Sequence, residues 1–137
     1  MNTFKAGNIE VVSHDYYRGN GVKGQMHVTW KDYELMNYDP FLKELKAEGW
    51  RVPTEKEAFY LHELHKILIG GFSDKWPPYC NYFIEPTEKA YPSGYPDLYT
   101  EGYKPGYKPR VLNFYKGKIE THMGREGLAL LRLVRTI

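Results

Sequence analysis

Apolar residues recur at helical spacing twice along the chain. The first run is Phe41, Leu42 and Leu45, and the second is Ala58, Leu61, Leu64, His65 and Leu68. These spacings predict two helices. The first opens between Trp30 and Asn37, takes a fresh cap at Asp39-Pro40 with proline in the first helical position, and runs on through Phe41 to Glu48. Gly49 just past that run suits the left-handed position that ends a helix. Val52-Pro53 is then extended, because the residue before proline is pushed out of the α region. Thr54 and Glu57 stand as Thr-x-x-Glu, a capping box that opens the second helix, expected over Thr54 to Ile69. Gly70-Gly71 stops it.

The remaining apolar pattern is that of strands. Ile9-Glu10-Val11-Val12 reads as the first strand. Tyr79 to Glu85 is apolar on both alternating faces, which suits a central strand. Arg110 to Tyr115 and Lys118 to Met123 flank Lys116-Gly117 and read as a hairpin with a tight turn. Leu128 to Ile137 is the last strand. Two helices packed on a twisted antiparallel sheet make this an α+β domain, and 137 residues are one domain's worth of chain.

Residues 86–109 break the pattern. Tyrosines stand at 91, 95, 99, 103 and 107, with prolines at 92, 96, 105 and 109 between them. Recurrent proline excludes a helix, and the stretch is too long for an ordinary connection. Tyrosine offers large, stiff, amphipathic contact area with two side-chain torsions to freeze, the property that binding loops use. Tyr91, Tyr95, Tyr99, Tyr103 and Tyr107, with Lys104 and Lys108 among them, are therefore the candidate contact residues for a protein or glycan partner. The competing reading is that these rings pack back on the domain as scaffold.

Composition changes this picture little. Mean hydropathy is −0.63, and no apolar run approaches the ~20 residues of a membrane span. Net charge is +2, unevenly spread: residues 101–137 hold eight Lys/Arg and three Glu, a net +5, leaving −3 on residues 1–100. A solvated sheet face accounts for the basic end, and no nucleic-acid motif accompanies it. The single cysteine, Cys80, excludes an intramolecular disulfide. Residues 1–7 lack the apolar stretch of a signal peptide. If Met1 is the natural start, the expectation is a chain cytoplasmic when made.

The segment Gly49-Trp50-Arg51-Val52-Pro53-Thr54-x-x-Glu57 resembles the signature of a bacterial group with a C-type-lectin-like fold. The group comprises the DUF1566 and Fibrobacter-paralogous domains and, more distantly, the formylglycine-generating sulfatase-modifying factors. Val28-Thr29-Trp30-Lys31-Asp32 resembles the group's helix-opening motif, Tyr79–Glu85 its middle strand, Phe114–Lys118 its late hairpin and Leu131–Arg135 its closing strand. The resemblance spans residues 26–137, in the group's order. It implies that Trp50 lies in the core, that the last strand pairs with the first, and that residues 86–109 form the long loop region between the middle strands. It also implies two settings, a bacterial surface and a phage virion, where such domains act in receptor binding or decoration. Arg51 is expected to pair with a carboxylate that the sequence does not identify.

Candidate chemistry is sparse. His62 and His65, three apart, could join a third ligand at a metal, but Leu61 and Leu64 beside them give this helix a packing role. The catalytic members of the resembling group use two cysteines close in space, or three histidines, and neither set is evident. Glu85-Pro86-Thr87 resembles a lectin calcium motif without its asparagine, and the six to eight oxygens that calcium needs are not assembled. Cys80 reads as a small buried residue. The expectation is a non-enzymatic binding module with no cofactor, a protein or glycan partner and an option of self-association. The alternatives are a structural subunit whose loop docks in an assembly and a divergent oxidative enzyme.

Overall fold

The computed structural model describes residues 2–16, 28–30, 33, 40–65, 72–73, 80–87, 109–121 and 128–137. Its elements are β1 (Thr3–Ala6), β2 (Ile9–Val12), β3 (Val28–Thr29), α1 (Pro40–Ala47), α2 (Glu55–Leu64), β4 (Asn81–Ile84), β5 (Arg110–Asn113), β6 (Lys118–Glu120), β7 (Leu128–Ala129) and β8 (Val134–Thr136). Trp30 and Tyr33 are also helical. The class is α+β, with antiparallel strands in three small sheets ordered β1-β2-β8, β3-β7 and β4-β5-β6. No helix among the described residues is long and apolar enough to cross a membrane.

Ile9–Val12 is thus the second strand and not the first. β1 precedes it, and Gly7, at φ +62°, turns the chain so that Ala6 faces Ile9. The last stretch does pair with Ile9–Val11, but only through β8. Leu130 instead makes an isolated parallel bridge to Tyr82, so the expected continuous strand over Leu128–Ile137 is split. The late hairpin also differs from expectation. Asn113 faces Lys118, so four residues form the turn. Asn113 Oδ1 accepts from the N–H groups of Tyr115 and Lys116, both at 2.9 Å, and Gly117 closes the turn at φ +70° with its N–H on Asn113 O at 2.7 Å. Asparagine's short amide substitutes here for a backbone acceptor.

The apolar residues form two clusters, and alternation along the strands deals them out. Phe83 and Val111 face the cluster that holds Leu42 and Leu45 of α1, with Trp30, Tyr33 and Trp50. Tyr82, Ile84 and Leu112 face the cluster that holds Ala58 and Leu61 of α2, with Phe72, Cys80 and Phe114. Each helix thus serves its own core, with β4 and β5 between the two. This is why β4 is buried at all four positions and lacks the polar alternation of a half-exposed strand.

One charge of the basic C-terminal end lies inside. Arg132, 2% exposed, donates from Nε and Nη2 to Asp15 Oδ1 at 3.0 and 2.7 Å and from Nη1 to Val12 O at 3.2 Å. Its guanidinium lies over the Phe72 ring, 4.2 Å from the centroid. The Tyr82 hydroxyl donates to Asp15 and accepts from Ser73 N–H at 2.8 Å. Burial, helped by the Asp15 charge, pushes the Tyr82 phenol far above its ordinary range. The shift favours the protonated phenol, the form that donates to Asp15. The +5 of residues 101–137 is accordingly not all on a solvated face, since Arg132 belongs to the core.

Removing one partner of such a pair leaves a buried charge uncompensated. Arg132→Met is expected to cost about 3–5 kcal/mol in urea unfolding, and Arg132→Met with Asp15→Leu clearly less than the sum of the two single losses.

Candidate functional site

The segment from Gly49 to Glu57 is built as its sequence suggests. Gly49 takes φ +95°. Trp50 N–H reaches back to Leu45 O at 3.0 Å and Gly49 N–H to Lys46 O at 3.1 Å. These are the paired bonds of a Schellman end to α1. Trp50 and Leu45 lie together in the first core. At the other end Glu57 N–H donates to Thr54 Oγ1 at 3.1 Å, and Thr54 N–H to Glu57 Oε1 at 2.9 Å, completing the capping box of α2.

Between the two caps, Arg51 is held twice. Its backbone exchanges 2.8 Å hydrogen bonds in both directions with Val134. Its guanidinium meets Glu57 with both forks, Nη1 to Oε1 at 2.7 Å and Nη2 to Oε2 at 3.1 Å, and also donates to Thr136 Oγ1 at 3.0 Å. The carboxylate partner of Arg51 is therefore the N3 glutamate of the capping box. The Arg51 hydrogen bond, aided by the Thr54 N–H, holds the Glu57 carboxyl below its ordinary value against the opposing effect of burial.

The same segment meets the described residues at either end of the 86–109 stretch. Pro53 O accepts from Glu85 N–H at 2.9 Å, one residue beyond β4. Arg110, the first residue of β5, donates from Nε and Nη2 to Glu85 O at 3.2 and 2.7 Å. Ile84 and Arg110 are cross-strand partners. The two points where the chain leaves and rejoins the sheet are thus tied to each other and to Gly49–Glu57. Above them, Trp30, Tyr33, Lys46 and Val52 join Arg51, Thr54, Glu85 and Pro86 around a cavity of about 480 Å³. Tyr33 is fixed there. Its hydroxyl accepts from Val52 N–H at 3.2 Å, its carbonyl accepts from Lys46 Nζ at 3.0 Å, and Lys46 Nζ lies 3.8 Å from its ring centroid. A second hollow of about 390 Å³ lies across the start of α2, against Gly7, Asn8, Lys56 and Tyr60.

Of the residues singled out in the sequence, Trp30, Gly49, Trp50, Arg51, Pro53, Thr54 and Glu57 come together in this way. Trp30 and Trp50 are core residues, each 2% exposed, and Arg135 lies over the Trp50 ring, 4.5 Å from the centroid. Tyr91, Tyr95, Tyr99, Tyr103, Tyr107, Lys104 and Lys108 lie outside the described residues, as does the stretch 66–69 of the expected second helix. Sequence reasoning missed Tyr33, Lys46 and Arg110. Arg110 had a usable signal, a cation directly after the last proline of the loop region. Tyr33 and Lys46 meet only through the tertiary fold.

The other candidates have structural surroundings. His62 Nε2 is 3.1 Å from Phe114 O, and a carbonyl only accepts, so Nε2 carries the proton. His62 and His65 both pack edge-on against Phe114. Among the described residues no group of three His, Cys, Asp or Glu side chains could hold a metal ion. Cys80 is fully buried, and its thiol donates to Asn113 Oδ1 at 3.2 Å. Comparison of the chain with protein-family models and with curated protein sequences finds no match in either.

A lowered carboxyl pKa in the folded state stabilises above the unfolded value and stops doing so as pH falls through the folded value. Glu57→Gln keeps the cap but removes the charge. The wild type is expected to be more stable than Glu57→Gln by about 1 kcal/mol at pH 7, a partly exposed charged hydrogen bond. That gap should hold down to the unfolded carboxyl value of roughly 4.3 and close below it, in urea unfolding repeated from pH 7 to pH 3.

Proposed function

We propose that this chain is a non-enzymatic binding module of C-type-lectin-like fold, of the kind that serves on phage virions or bacterial surfaces, and that residues 86–109 make its contacts. The observation that carries the reading is the tethered base of that segment. Arg110 grips Glu85 O, and Glu85 N–H is bound to Pro53 O. Contact residues gain from being carried on a rigid support, because less ordering is then left to the binding step. The order of elements is in keeping with the fold assignment: a helix end, a Trp-Arg crossing, a capped helix, two middle strands joined by the long segment, and a last strand beside the N-terminal ones. The partner is a protein or glycan met by tyrosine faces.

The surroundings of Cys80 and the two helix histidines favour this reading over an oxidative enzyme. A thiol donating to a buried amide, and imidazoles packed edge-on against phenylalanine, are core arrangements.

Replacing Tyr91, Tyr95, Tyr99, Tyr103 and Tyr107 together by Ser separates a contact surface from scaffold. The binding reading expects an unchanged urea midpoint, with loss of capture on panels of glycans and of purified envelope proteins. A loss of several kcal/mol, the cost of truncating buried aromatics, would instead make the rings part of the core. The solution mass of the purified chain, by light scattering, places it as a monomer or as a subunit of an assembly.

A further inference from the structure

The sheet β1-β2-β8 ends on one side at β1, and the direction of each backbone group along β1 follows from the bonds of β2. Ser13 N–H donates to Asn2 O at 2.9 Å, whereas Val12 N–H turns the other way, to Leu133 O at 3.0 Å. Asn2 therefore turns its hydrogen-bonding groups to β2, Thr3 turns its own away, and the alternation runs on through Phe4 and Lys5. Thr3 and Lys5 thus present their N–H and C=O groups to the open edge, with no backbone partner among the described residues. Such a row is a template for another strand. Side chains alternate as well. Phe4 and Ala6 face the cluster that holds α2, Phe4 only partly covered. Thr3 and the exposed Lys5 lie on the opposite face with Glu10, whose carboxylate accepts from the Thr3 hydroxyl at 2.7 Å and meets Arg135 Nη2 at 2.9 Å.

We infer that β1 is a self-association edge, to which a second copy of this chain adds its own β1, antiparallel, across a two-fold axis at Phe4. Self-pairing must set outward-facing groups opposite one another, which leaves three registers within the strand. Centred on Lys5, it sets two ammonium groups opposite each other, which is destabilising. Centred on Thr3, it carries Lys5 past the end of the other copy's β1. Centred on Phe4, it pairs Thr3 of each copy with Lys5 of the other, and every outward group of the two strands is bonded. The Phe4 rings then meet at the axis as a non-hydrogen-bonded pair, where side chains come closest, and each covers what the core leaves exposed of the other. Each Lys5 lies beside Thr3 of the second copy, the residue bonded to a Glu10 carboxylate, so charge is matched across the joint. A lysine on an edge strand ordinarily opposes pairing; here it opposes the wrong register. The interface is isologous and closes on itself. It does not rest on the binding reading and involves no residue of 86–109.

The test is the solution mass of the whole chain by light scattering, from dilute solution to about 1 mM, a range in which a small interface is populated, together with amide exchange resolved by residue. A concentration-dependent dimer is expected, with the Thr3 and Lys5 N–H groups protected in the dimer and exchanging on dilution. Thr3→Lys sets lysines opposite each other in the inferred register and is expected to weaken the dimer about tenfold. Adding Lys5→Glu pairs a lysine with a glutamate across the joint and is expected to recover it. Lys5→Pro removes an outward N–H without touching the bonds to β2 and is expected to give a monomer. Urea midpoints at low concentration show that each of these variants folds. A wild-type chain that stays monomeric throughout overturns the inference and leaves the edge to an extended segment of another protein. A dimer in which Thr3 and Lys5 exchange freely, or one indifferent to both Thr3→Lys and Lys5→Pro, overturns it as well, because the contact then lies elsewhere.

Discussion

Arg51 is where three parts of the chain meet. Its backbone bonds both ways with Val134 of the last strand, and its guanidinium closes on Glu57 at the start of α2. The preceding Trp50 ends α1 from inside the first core. A single extended residue therefore fixes the distance between two helix ends and a terminal strand. Local chemistry alone would set only the caps. The bidentate pair gives the crossing its geometry, because a guanidinium fork and a carboxylate fit in one plane. The position of Pro53, and through it of Glu85 at the end of β4, follows from that crossing.

The second fixed point is the buried set of Asp15, Arg132 and Tyr82, joined by the half-buried Ser73 N–H. Taking two charges out of water costs several kcal/mol per ion, and only well-placed partners offset it. Here Asp15 receives the guanidinium and the phenol, while Arg132 spends a third donor on Val12 O and lays its face on Phe72. Such a set adds less to stability than an apolar filling of equal volume would. Its value lies in direction, since hydrogen bonds accept one arrangement of β2, β4 and the C-terminal stretch where apolar contact would tolerate several.

What could be read in the sequence was local. Gly49 as a helix end, Thr54 and Glu57 as a capping box and the two-sided burial of β4 all rest on spacings of a few residues, and all stand in the structure. Glu57 was also within reach as the partner of Arg51, lying six residues on, but capping had already given that carboxylate a use. β1 escaped notice because Thr3-Phe4-Lys5-Ala6 offers only Phe4 and Ala6 as an alternating face, and it gains strand character from pairing with β2. Arg132 misled because an arginine between leucines reads as a charge turned outward. The distant Asp15, 117 residues earlier, helps to turn it in. At the candidate site, Trp30, Thr54 and Arg51 were legible, whereas Tyr33 and Lys46 meet across elements and leave no mark at any fixed spacing.

The grip of Arg110 on Glu85 O bears on how such a domain can change. For a loop whose ends are already held together, each doubling of length adds only about 0.6 kcal/mol of closure cost. The bonds that hold β4 to β5 and Pro53 to Glu85 are made by the clamped ends themselves, so a change of length between Glu85 and Arg110 does not by itself remove them. Under the binding reading proposed here, the fold would act as a handle and the segment between the two clamped residues as its replaceable blade, with new recognition acquired there while the ties at its base stay as they are.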